Sequence, residues 1–429
     1  MRLLHTSDWH LGRTLYGRKR DEEFEQLLQW VVLTVRAQTI DVLVIAGDIF
    51  DTATPGTRAQ RMYYQFLYQM VASPCRHIVI VAGNHDSAAF LNAPADLLKA
   101  FDVHVVGQAC EDVSEQIVVL RDEHGQPQMV VCAVPYLRDR DVRTVALGET
   151  IEDKDRNLVQ GIRDHYARVA QAARQVCLDL GCQVPIVATG HLYAAGGQVI
   201  EGDGVRDLYI GSLGQVHASM FSEVFDYVAL GHLHVPQIVD GQSRIRYSGS
   251  PLPMGFGEAR QTKSVCLVSF QVDPVSERLQ PVIETLTVPV FQRLCQVRGN
   301  FGSIRQQIDL LAQSNESWWV EVIYEGHEVI SDLRQQIEQL VVDSQVELLR
   351  IKLAARLNPR LVPVDQQESL DDLTPMQVFE RCLDAYEVPA TQRHAMQHTF
   401  EEALAMVRQG AQPAGHPSVV SQEDAHADT

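Results

Sequence analysis

Nowhere in this chain of 429 residues does an apolar run approach the ~20 residues that a membrane-spanning helix needs. Met1 to His5 is too short and too soon polar for a secretory leader, so the expected compartment is the cytoplasm. The eight cysteines, at 75, 110, 132, 177, 182, 266, 295 and 382, include no Cys-x-x-Cys pair. That spacing argues against a thiolate zinc site and, in a cytoplasmic chain, against a disulfide framework. Cys132 and Cys266 lie inside apolar strand-like runs, as small core residues do. A basic excess is also missing. Lys and Arg number 36 against 55 Asp and Glu, a net charge of −19, which argues against holding nucleic acid by bulk charge. The acid excess is concentrated at the end, where residues 361–429 carry 12 acidic and three basic side chains. No G-x-x-x-x-G-K-[ST] loop is present, so the chain has no Walker-type nucleotide site of its own.

What is present is a repeated unit: a short apolar run, a glycine, then a metal-ligand residue. Val42–Ala46 leads into Gly47-Asp48-x-x-Asp51, and Ile78–Ala82 into Gly83-Asn84-His85-Asp86. Ile186–Ala188 leads through Thr189 into Gly190-His191, and Tyr227–Leu230 into Gly231-His232-x-His234. Leu3-Leu4 precedes Asp8-x-His10. A buried strand that stops at glycine turns sharply and presents its next side chain at the sheet edge. Each motif alone is weak. Five in this order predict Asp, His and Asn side chains gathered on one rim.

Those residue types point to divalent metal chemistry. Imidazole nitrogen and carboxylate oxygen suit Mn²⁺, Fe²⁺ or Zn²⁺, and a carboxylate with two oxygens can bridge two cations at ~3.5–4 Å. Asp48 is the candidate bridge. Asn84 can bind through its carbonyl oxygen and also hydrogen-bond a phosphate. Asp51 and Asp86 are expected to hold backbone or ligand imidazoles from behind. His5, His77, His104 and His217 read as ordinary hydrogen-bonded histidines, and Trp9 as packing. Arg13, Arg18, Lys19 and Arg20 follow the first ligand loop, and Arg138, Arg140 and Arg143 cluster later; each group is either a DNA-phosphate contact or a solvated face.

Residues 1–285 carry every such unit and form the expected catalytic domain. Within it, strands are predicted near 116–120 and 129–134, and a helix near Asp155–Leu180 with Leu158, Ile162, Tyr166, Val169 and Ala173 on its inner face. From about Val288 the pattern becomes β-α-β-α-β, a small α/β domain over 286–354, in which the inner member of Trp318-Trp319 reads as core. Residues 355–372 read as a linker. Thr374-Pro375 marks a helix start, and 373–409 reads as two helices, near 375–385 and 390–408. The second places Met396, Phe400, Leu404 and Met406-Val407 at helical spacing, which is either core or a docking face for a partner. Residues 410–429 lack periodicity and are expected to be disordered.

The blocks MRLLHTSDWHLGRTLYG, VIAGDIFDTATP, VAGNHDS, ATGHLY, VRDLYIGSL, DYVALGHLH and RYSGSPLP together resemble the calcineurin-like metallophosphoesterase superfamily, and within it the DNA nuclease subunits of bacterial nuclease–ATPase complexes. The resemblance covers residues 1 to about 275. It implies an α/β fold in four layers, a β-sandwich flanked by helices, with a small α/β cap domain and C-terminal helices. One metal would be held by Asp8, His10, Asp48 and His234, and a second by Asp48, Asn84, His191 and His232. His85 would face the scissile phosphate as the catalytic residue. The implied activity is Mn²⁺-dependent hydrolysis of DNA, as a double-strand 3′–5′ exonuclease and a single-strand or hairpin endonuclease. The implied partners are DNA, a second copy of the chain, and an ATPase docked on residues 373–408. Two alternatives remain at this stage. One is a small-molecule phosphomonoesterase or cyclic nucleotide phosphodiesterase using the same metals, which the extra domain after 288 disfavours. The other is a non-catalytic scaffold, which the uneroded ligand set disfavours.

Overall fold

The computed structural model describes residues 1–143, 149–194, 216–274, 279–326, 330, 332–354, 374–385, 388, and 392–400 apart from 395 and 398. In chain order, β1 (Leu3–Thr6) and a small hairpin, β2 (Thr14–Leu15) and β3 (Arg18–Lys19), precede α1 (Asp21–Ala37). Then come β4 (Val42–Ala46), α2 (Thr57–Val71), β5 (His77–Val81), the short α3 (Ala88–Asn92) and α4 (Ala95–Lys99), and β6 (Val103–Val106). The second half holds β7 (Ile117–Arg121), β8 (Pro127–Cys132), α5 (Asp139–Val142), α6 (Ile151–Leu180), β9 (Ile186–His191), β10 (Tyr227–Gly231), β11 (Gln237–Val239) and β12 (Gln242–Tyr247). A long hairpin follows, β13 (Ser264–Val272) and β14 (Leu279–Thr287). The last part is β15 (Arg293–Gly299), α7 (Phe301–Gln313), β16 (Trp318–Tyr324), α8 (Leu333–Val341), β17 (Val346–Leu353) and, past residues outside the described set, α9 (Pro375–Ala385).

Two six-stranded sheets, ordered β14-β13-β1-β4-β5-β6 and β11-β12-β10-β9-β8-β7, pack face to face. Their shared core is apolar: Val42, Val44, Val79 and Val81 from the first sheet meet Val131, Val187, Tyr227 and Ala229 from the second. The outer face of the first sheet is covered by α1 and α2 through Phe24, Leu27, Val31, Met62 and Phe66. The outer face of the second is covered by α6, whose buried side chains include the predicted Leu158, Ile162, Tyr166, Val169 and Ala173. Strands β4 and β5 are buried on both faces because helix lies on one side and sheet on the other, which explains their unbroken apolar sequence. The four-layer α/β fold expected from the sequence is what the chain forms.

Topology sets the position of the site. β1, β4, β5 and β6 run parallel, as do β8, β9, β10 and β12. Parallel neighbours end on the same side, so the loops after β1, β4, β5, β9 and β10 emerge at one rim. The first two loops pair beyond their strands, with Asp8 N–H on the Gly47 carbonyl at 3.0 Å and His10 N–H on the Asp48 carbonyl at 3.0 Å. The predicted β-α-β-α-β segment is a parallel sheet β15-β16-β17 with α7 and α8 on one face, around Val297, Ile304, Ile308, Val322 and Ile337. Trp319, the buried member of the tryptophan pair, lies outside that core. It packs on the opposite face with Leu294 against Leu15 and Phe256 of the larger domain. Trp319 is thus a core residue, as expected of the inner tryptophan, and the core it joins is the one that fastens the small domain to the hairpin that follows His10.

At the C-terminal end, Thr374 Oγ1 accepts from Gln377 N–H at the start of α9, as an N-cap does. Phe400 stacks on Phe379 with ring centroids 4.1 Å apart, so of the predicted face on the second helix this residue packs against the first. Leu404, Met406, Val407, the linker 355–372, the tail 410–429 and the block VRDLYIGSL fall outside the described residues.

Arg20 corrects the reading of the first basic cluster. It is buried, and its guanidinium donates twice to Glu23, at 2.7 and 2.9 Å, and to the Pro253 carbonyl at 2.8 Å. A side chain so enclosed cannot meet DNA. Its sequence neighbourhood looked like a charge run because its partner lies one helical turn away, at the start of α1. Replacing Arg20 with Ala leaves the Glu23 carboxylate buried and uncompensated, a change that costs about 3–5 kcal/mol. The urea midpoint should fall accordingly, whereas R20M combined with E23L should recover much of the loss. An unchanged midpoint for R20A would return Arg20 to the surface role first expected of it.

Candidate metal centre

The rim brings Asp8, His10, Asp48, Asn84, His191, His232 and His234 into one cluster, with all but Asn84 buried. Asp48 is central. Its Oδ2 lies 3.3 Å from His191 Nε2 and 3.6 Å from His10 Nε2, and its Oδ1 accepts the His85 backbone N–H at 2.9 Å. On one side His10 Nε2 faces His234 Nε2 at 3.3 Å, with Asp8 in the same group. On the other, Asn84 Oδ1 is 3.0 Å from both His191 Nε2 and His232 Nδ1. Asp8 groups with Asp48 and His191 as well, and accepts the His232 backbone N–H at 2.9 Å. The two sets of residues expected from the sequence therefore lie side by side and meet at Asp48.

The imidazoles are aimed from behind. His191 Nδ1–H donates to the Ala46 carbonyl at 3.0 Å, which fixes its tautomer and turns Nε2 toward Asp48. His10 Nδ1 faces Asp51 Oδ1 at 3.4 Å, and Asp51 is also paired with Arg13 at 3.1 Å. Asp86 accepts three backbone N–H groups, from Ile49, Phe50 and Gly83 at 2.8–3.1 Å, and so ties the second ligand loop to the third. His85 Nδ1–H donates to the Asp51 carbonyl at 2.8 Å, leaving Nε2 as the uncommitted nitrogen of that ring.

Glu258 is part of the site and was missed. It is fully buried, its Oε1 lies 3.4 Å from His234 Nδ1, and its other oxygen takes Lys263 and the Met254 N–H. It follows no strand-glycine unit and arrives on a turn 24 residues after His234, so the pattern that found the others could not reach it. Of the histidines read as ordinary, His5 is buried between the sheets, its Nδ1 2.9 Å from the Tyr227 hydroxyl and its Nε2 3.2 Å from the Leu230 carbonyl; burial lowers its pKa to about 3 and keeps it neutral. Trp9 is buried and donates to Thr6, which makes it packing.

The backbone is strained at these residues. Asp8, His10, Asp48 and His232 have φ of 53°, 51°, 51° and 101°, four of the nine non-glycine residues with positive φ among those described. L residues rarely adopt this geometry, and it clusters where function over-determines it. The glycines serve in two ways. Gly47 has φ 92°, the turn expected of it. At Gly83, by contrast, a Cβ would fall inside the Asp48 carboxylate, so it is close approach that requires glycine there.

The residues fit a pair of divalent cations. Two buried carboxylates, an amide oxygen and four imidazoles converge, and two imidazole nitrogens face each other at 3.3 Å. Borderline divalent ions take this donor set. The fold and this cluster define a phosphoesterase of the two-metal kind.

The comparisons with known proteins agree. The model of the calcineurin-like phosphoesterases matches residues 1–236, and that of the type 5 capsule protein repressor C-terminal domain matches residues 290–387. The SbcD chain of the SbcCD nuclease of Escherichia coli K12 is 35% identical over 407 residues, which cover 94% of this chain and 98% of the relative. The SbcD chains of Rhodobacter capsulatus and Bacillus subtilis are 37% and 35% identical over 275 and 270 residues, each covering 62% of this chain and 66% of the relative. The chain belongs to the SbcD family of calcineurin-like phosphoesterases.

Electrostatics set a pH dependence. Burial pushes His191 down, but the adjacent Asp48 carboxylate outweighs burial and raises it to about 9. Burial likewise opposes ionisation of Asp48, and the surrounding imidazoles, His191 first, overcome it and hold the carboxyl well below its usual range. His191 therefore carries a proton at neutral pH, whereas a ligand imidazole must be neutral. Cation uptake should expel that proton, so affinity should rise roughly tenfold per pH unit up to about pH 9 and then flatten. Calorimetry at neutral pH in buffers of different ionisation enthalpy should count at least one proton released. A count of zero would mean that His191 does not take a ligand role.

Proposed function

We propose that this chain is the nuclease component of an SbcCD-type complex and hydrolyses DNA phosphodiester bonds at the centre built around Asp48. The observation that carries the reading is the meeting of two ligand sets on one buried carboxylate, in a chain alignable over nearly the whole of a named nuclease component. Asp8, His10, Asp48 and His234 would hold one cation, and Asp48, Asn84, His191 and His232 the other, with Mn²⁺ the proposed ion. Bound there, the cations would neutralise the phosphate and lower the pKa of the attacking water.

The chain's own residues do the rest. The His85 N–H fixes Asp48, and Asp51 and Glu258 lie behind His10 and His234. The His85 ring, anchored through Nδ1 on the Asp51 carbonyl, keeps Nε2 to deliver a proton to the leaving oxygen. The Asn84 amide N–H is available to a phosphate oxygen. With Arg20 buried, Arg13 paired with Asp51 at 3.1 Å, and Arg18 paired with Glu347 at 3.2 Å and lying over Trp319, the phosphate contacts of the first basic cluster fall first to the exposed Lys19. We assign double-strand 3′–5′ exonuclease and single-strand or hairpin endonuclease activity, in the cytoplasm at the nucleoid. Exposed Leu33, Tyr64 and Tyr68 on α1 and α2 support a homodimer, and residues 373–408 are the proposed dock for an SbcC-like ATPase. The additional parallel sheet β15-β16-β17, packed on Leu15 and Phe256, supports a large substrate over a small phosphate ester. Among the described residues no helix is long and apolar enough to cross a membrane.

Replacing His85 with Ala should leave Mn²⁺ stoichiometry unchanged and lower the rate of linear duplex DNA digestion by about 10²–10⁴-fold. Full activity in that variant would remove His85 from the chemistry. Hydrolysis of a nitrophenyl phosphate in preference to DNA by the wild type would favour the small-molecule reading instead. A chain ending at Leu370 should still digest DNA but lose co-purification with the ATPase; retained co-purification would move the dock elsewhere.

A further inference from the structure

We propose a third metal site, formed by His77, Asp102 and His104 at the opposite end of β5 from the catalytic rim, and suited to a single Zn²⁺ or similar borderline divalent ion. One ligand atom from each of the three lies within 4.8 Å of the others. The placement follows from the pairing of β5 with β6. Ile78 sits opposite Val103 and Val79 opposite His104, so His77 and His104 fall on one face of the sheet at period two, and Asp102, in the turn just before β6, lies level with His77. That face is the one turned to the second sheet, and the triad occupies the end of the inter-sheet core.

The second observation is the state of His77. Its ring is buried, and Nε2 lies 2.8 Å from the Arg121 carbonyl on β7. A carbonyl can only accept, so Nε2 donates to it and Nδ1 is the nitrogen left to bind a cation. Nδ1 is buried without a hydrogen-bond partner and faces Asp102 Oδ1 at 3.7 Å. A ligand imidazole whose far N–H is tied to a backbone carbonyl is the arrangement that orients metal-binding histidines. Ligand atoms around a tetrahedral ion with bonds of about 2.0–2.1 Å lie roughly 3.4 Å apart, against 3.7 Å for His77 Nδ1 and Asp102 Oδ1, so the three groups need to close only a little on an ion. The His104 ring centroid is 6.2 Å from that of His77 with the planes 37° apart. Asp102 has φ 56°, a strained conformation that holds its side chain beside the two rings. Two imidazoles and one carboxylate leave a fourth position for water, and the donor set favours zinc over magnesium or calcium. Asp102 is well exposed, which gives the ion an entry path.

A cation there would link β5, the turn before β6 and, through the Arg121 carbonyl, the edge strand of the second sheet. It would clamp the two sheets at the edge far from the active rim, about 20 Å from Asn84 at ~3.3 Å per strand residue. The role is structural, so hydrolysis in Mn²⁺ should not depend on it.

The test is a count by difference. Full-length wild-type, D102N and H104A chains, stripped of metal and dialysed against excess zinc, are compared by elemental analysis. Each variant should bind one zinc fewer than the wild type, with duplex DNA digestion in Mn²⁺ unchanged. Because the site is read as a difference, the result stands whatever the occupancy of the catalytic rim. Crystals of the wild type soaked in zinc should show an anomalous peak bounded by His77 Nδ1, Asp102 and His104. Equal stoichiometry in all three proteins, or a zinc-soaked crystal without that peak, overturns the proposal. D102N changes an exposed side chain, so misfolding of H104A alone would not leave the question open.

Discussion

The structure depends on one buried carboxylate kept ionised. Asp48 sits at a sheet edge where desolvation alone would protonate it, and it remains charged because imidazoles at 3.3 and 3.6 Å and a backbone N–H at 2.9 Å face its oxygens. Every strand that ends at the rim supplies one of those neighbours or holds one in place. The fold can be described as a means of ending five parallel strands around a single negative charge. The same balance explains Asp86, which is raised to about 6 by its own burial and by Asp48. The three backbone N–H groups that face its oxygens work against that rise and favour the carboxylate.

Buried charge also accounts for the strain. Holding Asp8, His10, Asp48 and His232 at positive φ costs of order 1–3 kcal/mol each. The surrounding layers must over-determine these positions, and they do. The loops after β1 and β4 are laced to each other by backbone hydrogen bonds, and the third loop is tied to the second through Asp86. The apolar core of two sheets and their covering helices supplies the stability that the rim consumes.

Most of this could be read from the sequence, for a definite reason. Doubly buried parallel strands write themselves as unbroken Val, Ile, Leu and Ala, and the residue after such a run is at the rim by topology. Position on the rim thus became visible as position after a glycine. What escaped did not follow that rule. Glu258 reaches His234 from a turn, and its role exists only in three dimensions. Arg20 has the composition of a surface charge and the environment of a core residue, because its partner Glu23 is folded over it at the start of α1. His77 makes a hydrogen bond, as expected, to the Arg121 carbonyl, and that it shares a face with His104 emerges only from the register of β5 with β6. The glycine argument was right at Gly47 and wrong in kind at Gly83, where contact with Asp48 decides the residue.

The small domain is joined to the centre through the parts that the sequence concealed. Trp319 and Leu294 pack on Leu15 and Phe256. Tyr16 stacks on Phe256 with centroids 5.7 Å apart, and Arg350 lies over the Tyr16 ring and meets its hydroxyl at 2.8 Å. Leu15 and Tyr16 continue the loop that carries His10, and Phe256 begins the turn that carries Glu258. The interface is therefore an extension of two supports of one imidazole pair, His10 and His234, which face each other at 3.3 Å. Packing of the small domain fixes the backbone on both sides of that pair. Its attachment and the alignment of the His10–His234 half of the centre are, in physical terms, the same set of contacts.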